Sequence, residues 1–343
     1  MRGGHRKLGA TNPCRRASPD NRRAAWANSS VGWRVDMPRM VAEGCDRETT
    51  THHLGSVGFV PDAPLSPIQR RNLELLRRPA EPLVFDPAFV AALTDEARAA
   101  MQQLSGRLKG ERMWVSKGRL ANVHGCEVKY LLPDEFEWKP STAAGFISHK
   151  AIELAVNWQG EPDPGTVVDE ALAIIAEQAD NKGDYVARLA AGERAELRSR
   201  VVDRVTKFVH DFPPLRASFH PVLEAASKWQ PPGTIELSGK VDLAIGKPEG
   251  DESRILIVDF KSGNRSPQHR DDLRFYALLH TLRQQVPPRK VATYYLDYSE
   301  GDAEDVTEGM LTSALARTVD GIERHIELVA EDRAPVKRVG VPC

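Results

Sequence analysis

Apolar residues in the first part of the chain recur every three or four positions, which is typical of amphipathic helices that pack on one face. This pattern covers residues 65–212 and is interrupted by the stretch from Pro79 to Pro87. The clearest predicted helices are 143–158, 166–179 and 185–212. A shorter helix, with Ser116 as its N-cap, is predicted within residues 113–125.

The pattern changes after residue 213 to the alternation of apolar and polar residues that is typical of strands. The alternation is most regular from Ile235 to Ile245. Strands are predicted at 216–226, 234–246, 254–262 and 290–298, and helices at 267–285 and 306–330. This order predicts an α+β fold, in which a central mixed sheet is flanked by helices and preceded by a helical region.

Composition and charge are ordinary for a soluble protein, with 41% hydrophobic residues, 28% charged residues and a net charge of −1. Residues 1–39 hold nine Lys or Arg and two Asp, so this segment carries +7 and the rest of the chain −8. Residues 1–55 are predicted to be a disordered basic extension, or in part a start site placed too early, with initiation at Met37 or Met40. A basic arm of this kind can contact nucleic acid.

Segments that would direct the chain to a membrane or out of the cell are not recognised. No stretch of about 18 apolar residues occurs, and the N-terminus lacks the apolar core of a secretory signal. The four cysteines are too far apart in sequence to suggest a disulfide framework. We therefore expect a cytoplasmic protein without a membrane anchor.

Acidic residues fall on both strands of a predicted hairpin. A turn centred on Gly250 and Asp251 would place Asp242 opposite Asp259, with Lys261 on the same face as Asp259. Opposed carboxylates repel each other, and burying either one without a partner is costly. The pair therefore predicts a bound cation, although D-x-K pairs also occur as solvated surface charges.

A helix follows Lys261 almost at once, with Ser266 as its predicted N-cap. Gln268, Asp272 and Tyr276 lie on one face of this helix. Two carboxylates can hold one or two Mg²⁺ or Mn²⁺ ions through oxygen, and such ions activate water and stabilise phosphate charge. A neighbouring lysine can orient the water or offset developing negative charge. This set of residues predicts hydrolysis of phosphodiester bonds.

Four motifs in order along residues 113–343 resemble the PD-(D/E)XK nuclease superfamily. The similarity is to its RecB-like exonuclease branch, found in recombination helicase–nucleases and CRISPR-associated exonucleases. The motifs are M-W-V-S-K-G-R-L-A-N-V-H-G-C-E-V-K-Y, A-A-G-F-I-S-H-K-A-I-E-L, G-K-V-D-L, and I-V-D-F-K-S-G followed by D-D-L-R-F-Y. The resemblance implies a restriction-endonuclease-like core over residues 56–343, with a helical part at 56–212 and the α+β core at 213–343.

The function that this resemblance implies is a metal-dependent DNA exonuclease in repair, recombination or defence. Its partner would be DNA, with a helicase or another recombination or defence protein as a further partner. Two alternatives stay open. The chain could be a catalytically lapsed nucleic-acid-binding or scaffold subunit of a helicase–nuclease complex, or it could be a regulatory component of a larger helicase complex. The complete D…D-x-K set favours an enzyme. No G-x-x-x-x-G-K-[ST] motif occurs, so the chain is not predicted to be a helicase motor.

Residue roles also follow from the resemblance. It implies metal ligands at His149, Asp242, Asp259 and the carbonyl of Phe260, catalytic roles for Asp242, Asp259 and Lys261, and a DNA-facing Tyr276. An imidazole ligand suits Mn²⁺ better than Mg²⁺. Taken alone, His149 could be a partly buried surface histidine and Tyr276 a core residue. The chain departs from the family at Asp272, where relatives usually have Gln, and at Asp259, where many have Glu.

Two cysteines match part of an iron–sulfur site. Many relatives bind a [4Fe–4S] cluster through one cysteine before the histidine helix and three near the C-terminus, and Cys126 and Cys343 match the first two of these. Two of the four thiolates are missing, so no stable cluster is expected in this chain, although a longer form could bind one. Cys126 and Cys343 are expected to lie within about 10 Å of each other. Alternatively, Cys126 is only a small buried hydrophobic residue.

Overall fold

A computed structural model describes residues 64–132 and 137–337. The predicted basic extension 1–55 and Cys343 lie outside these residues. The described helices are α1 (Pro67–Leu76), α2 (Pro87–Arg107), α3 (Lys117–His124), α4 (Glu127–Leu131), α5 (Pro140–Val156), α6 (Pro164–Ala176), α7 (Asn181–Arg188), α8 (Ala191–Asp211), α9 (Pro267–Gln284) and α10 (Glu308–Val329). The described strands are β1 (Met113–Val115), β2 (Val222–Trp229), β3 (Ile235–Ile245), β4 (Leu256–Lys261), β5 (Lys290–Tyr295) and β6 (Glu300–Asp305).

The six described strands form one mixed sheet, which confirms the predicted mixed sheet, although only β2, β3, β4 and β5 were predicted as strands. The strand order is β1-β3-β4-β5-β6, and β2 pairs with β3 as well. β3 pairs in parallel with β1 and antiparallel with β2 and β4. β4 and β5 are parallel, and β5 and β6 are antiparallel. The long strand β3 is therefore the point at which the sheet branches.

Helices cover both faces of this sheet. Ile257 of β4 belongs to a hydrophobic cluster with α2, α9 and α10, whereas its neighbours Val258 and Phe260 belong to a cluster with α1, α5 and α8. Because alternate residues of a strand point to opposite faces, the two clusters lie on opposite sides of the sheet. A third cluster holds α5, α6, α7 and α8 together. This arrangement confirms the predicted α+β fold.

Several predicted elements differ from the structure for identifiable reasons. The predicted helix 185–212 is divided into α7 and α8, and the segment 113–125 begins with strand β1 before α3. The predicted strand 216–226 starts later, at Val222, after a short 3₁₀ turn. Strand β6 was not predicted because its sequence, E-G-D-A-E-D, has none of the usual strand residues. Its acidic side chains are paired instead with arginines that precede or belong to α9.

Capping residues were predicted correctly. The hydroxyl of Ser116 accepts a hydrogen bond from the backbone N–H of Arg119, and Ser266 caps α9 in the same manner. None of the described helices is both long and apolar enough to cross a lipid bilayer.

Candidate active site

One acidic residue from each of three adjacent strands lies at the same level of the sheet. The register of β2 against β3 and of β3 against β4 brings Glu224, Asp242 and Asp259 to neighbouring positions. The predicted hairpin register, with Asp242 opposite Asp259, is thereby confirmed. Three carboxylates at one level need cations nearby, because like charges on adjacent strands repel.

Strands β3 and β4 separate at this row of acids. Their paired residues end with Leu243 and Val258. Beyond that point the backbone N–H of Phe260 donates to Oδ2 of Asp242 at 2.7 Å, so a side chain replaces the backbone acceptor. Asp242 is held rigidly by this bond, and the space between the strands becomes part of a cleft.

Glu224 has an unusual backbone for a strand residue. Its φ of 51° lies in the left-handed region, and it falls between Leu223 and Ala225, which both pair regularly with β3. Such a conformation costs free energy and persists where the surroundings hold it in place. Here the Glu224 carboxylate forms an ion pair with Lys240 and lies 3.8 Å from Nδ1 of His149.

His149 reaches the acids from helix α5. Its Nδ1 lies 3.2 Å from Oδ1 of Asp242, and its ring meets Phe260 edge to face at 6.3 Å. Burial favours the neutral imidazole, but the neighbouring carboxylates of Asp242 and Glu224 outweigh burial and raise the pKa of His149 to about 9. Without a metal ion, a charged His149 therefore balances two of the carboxylates at neutral pH.

Asp259 is fully buried, and an ammonium group contacts each of its two oxygens. Lys117 Nζ lies 2.8 Å from Oδ1, and Lys261 Nζ lies 2.7 Å from Oδ2. Burial alone would raise the pKa of Asp259, but the two ammonium groups lower it below its ordinary value. Asp259 is therefore ionised and bridges two lysines.

Asp272 extends this bridge into a chain of alternating charges. Its Oδ2 lies 3.5 Å from Nζ of Lys261, and its Oδ1 accepts a hydrogen bond from Nε2 of Gln268 at 3.1 Å. The residue that departs from the family pattern is thus in direct contact with the predicted catalytic lysine. Lys261 is fixed between two carboxylates.

Tyr276 is only 3% exposed, and its hydroxyl donates to the carbonyl of Lys240 at 2.6 Å. A Cβ atom at Gly239 would lie 2.7 Å from its ring, so the ring packs directly on the backbone of β3. Nζ of Lys117 lies 4.7 Å from the ring centroid on one face. These contacts match the core-packing alternative. A contact with DNA, which the resemblance implied, stays a prediction.

A cleft of about 680 Å³ contains the acids, His149 and both lysines. Trp138, Phe146, Lys150 and Lys182 also line it. Cavities of roughly 300–1,000 Å³ are the usual size for small-ligand sites. The cleft is therefore large enough for more than a metal ion.

The donor set fits a divalent cation. His149, Glu224 and Asp242 each offer one ligand atom, and these three atoms lie within 4.8 Å of one another. The described part of the chain contains no second group of three such residues. Two carboxylates and an imidazole suit Mn²⁺ or Mg²⁺. Asp259 lies next to Asp242 in the row of acids, and its Oδ2 has no well-aligned hydrogen bond although Lys261 is in contact with it.

The structure places the residues predicted for the site as follows. His149 and Asp242 meet directly, and Asp259 and Lys261 contact each other in the same cleft. The N–H of Phe260 binds Asp242, while a metal contact through its carbonyl stays a prediction. Cys126 is 3% exposed, but its expected proximity to Cys343 involves a residue outside those described.

Sequence reasoning missed Glu224 and Lys117. Glu224 lies within a predicted strand, but the alternation of that strand does not reveal which strand it pairs with, so its position beside Asp242 was not found. Lys117 is the first residue of helix α3, and nothing in its local sequence distinguishes it from a solvated lysine.

Comparison with known protein families places the site within a matched region. The family model of the PD-(D/E)XK nuclease superfamily matches residues 115–337, which include every residue described above for the site. A crystal structure of a presumed exonuclease from Eubacterium rectale has 12% sequence identity and a TM-score of 0.41, over 69% of this chain and 88% of that chain. Comparison with curated proteins finds no sequence match. The chain belongs to the PD-(D/E)XK nuclease superfamily.

Proposed function

We propose that this protein is a divalent-metal-dependent exonuclease that hydrolyses the phosphodiester bonds of DNA. The observation that carries the proposal is the meeting of His149, Glu224 and Asp242 in one cleft with the Asp259–Lys261 pair. Membership of a nuclease superfamily supports hydrolysis of nucleic acid. The resemblance to RecB-like exonucleases supports the finer parts of the proposal. These are the choice of DNA, the action on strand ends, and a role in repair, recombination or defence with a helicase partner.

His149, Glu224 and Asp242 are the residues that would hold the ion. A bound Mg²⁺ or Mn²⁺ would stabilise charge on the phosphate oxygens and make a water more acidic. His149 can serve as a ligand only when its Nδ1 is unprotonated, so it must lose a proton before it binds metal. Asp242 is already oriented by the hydrogen bond that it accepts from the backbone N–H of Phe260.

Lys261 has the geometry of a group that acts on the phosphate or on the attacking water. Asp259 and Asp272 hold its ammonium from two sides, at 2.7 Å and 3.5 Å. A fixed cation is more effective than a mobile one, because no reorganisation is needed as negative charge develops. The ammonium has three N–H groups, so it can donate one hydrogen bond toward the substrate while the two carboxylates keep the ammonium in position.

The alternative of a lapsed binding or scaffold subunit would apply if Asp272, which stands where relatives usually have Gln, disrupted the site. In the structure Asp272 does not displace Lys261 from Asp259 but contacts the lysine from the other side. Gln268, one turn earlier, supplies an amide that holds Asp272. The observation that favoured a lapsed site therefore has an explanation that is compatible with catalysis.

The experiment is digestion of end-labelled single- and double-stranded DNA with Mg²⁺, with Mn²⁺ and with a chelator. We expect stepwise loss of label with metal and none with chelator. Closed circular DNA should stay intact, because it has no ends, and RNA of the same sequence should be cut poorly. Protein that binds these DNAs but cuts none with either ion would favour the binding subunit instead.

A further inference from the structure

Lys117 occupies an unexpected position in helix α3. It is the first helical residue after the cap Ser116, where a positive side chain is unfavourable because the helix N-terminus is itself positive. A lysine there would normally extend into solvent. Instead its side chain is only 27% exposed, and its Nζ lies 2.8 Å from Oδ1 of Asp259.

The two lysines that contact Asp259 are held differently. Lys261 has a second carboxylate, Asp272, at 3.5 Å. Among the described residues, Lys117 has no carboxylate other than Asp259 within 4.0 Å, and its other contact is the face of the Tyr276 ring. Lys117 also stands on a flexible stem at the end of a helix. An ion that displaced Lys117 from Asp259 would leave Lys261 in place between Asp259 and Asp272.

Asp259 lies next in the row of acids to the group that would hold the ion. An ion that binds to Glu224 and Asp242 would experience Lys117 as a nearby positive charge, and it would compete with Lys117 for the carboxylate of Asp259. Since both are cations, the presence of one weakens the binding of the other. A bound ion would therefore be affected by Lys117, which the sequence position of Lys117 does not suggest.

We propose that Lys117 is a positioning residue that occupies Asp259 and competes with the divalent ion for this carboxylate. The proposal rests on the metal-dependent function proposed above. It implies that Lys117 sets the metal concentration at which the site fills. Lys261, held by Asp272, stays in place when the ion binds.

The direct test is calorimetric titration of Mn²⁺ into the full-length protein. Lys117→Met should bind Mn²⁺ about tenfold more tightly than wild type, because a competing charge has been removed. Lys117→Arg, which keeps the charge, should stay close to wild type. Lys150→Met is the matched control, since Lys150 lines the same cleft but is paired with Glu153 at 3.0 Å and does not contact Asp259. It should leave Mn²⁺ affinity unchanged.

A second comparison tests whether the effect passes through Asp259. In an Asp259→Asn background, Lys117→Met should change Mn²⁺ affinity much less, because the shared carboxylate is gone. An affinity of Lys117→Met within twofold of wild type would overturn the proposal. So would an equal gain in Lys150→Met or in the Asp259→Asn background, since Lys117 would then act only as general charge. Lys117→Gln serves as a second neutral variant if the Met variant does not fold.

The cleavage assay gives an independent readout. The Mn²⁺ concentration for half-maximal cleavage should fall in Lys117→Met by the same factor as the dissociation constant, and an unchanged concentration would contradict competition at the working site. If wild-type protein cuts no DNA, the proposed function fails, but the titration still decides whether Lys117 competes with the ion.

Discussion

Glu224 lies directly across from Asp242 on the neighbouring strand, and both carboxylates reach Nδ1 of one histidine, His149. Two acids in this relationship destabilise the sheet unless a cation lies between them. A protonated His149 supplies that charge when metal is absent. A metal ion would replace the proton, so the same three residues have two alternative ways to be neutralised.

Loss of Glu224 should weaken metal binding. We expect Glu224→Gln to lower Mn²⁺ affinity on the order of 10–100-fold, with little effect on folding, because the amide keeps the shape but lacks the charge. Calorimetric titration measures this directly. Glu153→Gln is the control, since Glu153 lines the same cleft but lies outside the group of three ligand residues. Equal affinities in Glu224→Gln and wild type would exclude Glu224 from the metal site.

Metal affinity should rise with pH. Because the pKa of His149 is raised to about 9 and the metal requires the unprotonated ring, each Mn²⁺ that binds displaces one proton at neutral pH. Affinity should increase by about tenfold per pH unit from pH 6 to pH 8. Titrations at three pH values measure the slope. His149→Gln should show weaker binding without this slope, and a steep slope in that variant would assign the proton to another group.

The stability of the metal-free protein should change in the opposite direction. A histidine whose folded pKa is raised stabilises the fold fully below its unfolded pKa of about 6.5, and this contribution is lost as pH rises through about 9. Urea unfolding in the presence of a chelator should therefore show a smaller advantage of wild type over His149→Gln at pH 9 than at pH 6. A constant difference between the two proteins would contradict the raised pKa.

Cleavage of DNA should require Lys261, whereas folding should not. Lys261→Met should abolish cleavage while the melting temperature stays near that of wild type, because Asp259 keeps its contact with Lys117. Asp259→Ala should also abolish cleavage, but it leaves two ammonium groups without their shared carboxylate. Breaking a buried charge pair costs about 3–5 kcal/mol, so this variant should also melt at a lower temperature. If Lys261→Met cleaved DNA at a rate comparable to that of wild type, Lys261 would have no part in the mechanism.

Tyr276→Phe distinguishes packing from DNA binding. The variant loses the hydrogen bond to the carbonyl of Lys240, so unfolding should cost about 1–2 kcal/mol less free energy than in wild type. If the hydroxyl acts only inside the protein, the KM for DNA should not change once the variant is folded. A raised KM without loss of stability would support the DNA-facing role that the resemblance implied.

Much of the site could be predicted because its central part is a hairpin. The period-2 alternation of β3 and β4 and the central turn set the register, and the register placed Asp242 opposite Asp259. The cap at Ser266 and the helical period of α9 placed Asp272 on the face toward Lys261. Family motifs added His149, whose partner cannot be read from the pattern of its own helix.

The amino-acid sequence by itself determined most of the local elements, the hairpin register and the family, since each depends on neighbouring residues or on motifs read in order. Only the tertiary structure decided that Glu224 completes the group around His149 and that Lys117 contacts Asp259. These contacts join residues that are 75 and 142 positions apart. The pairing of β2 with β3 brings Glu224 beside Asp242, and the packing of α3 against α9 and α10 brings Lys117 to Asp259. Charge can be counted in a sequence, but the distance between charges is set by how the elements pack.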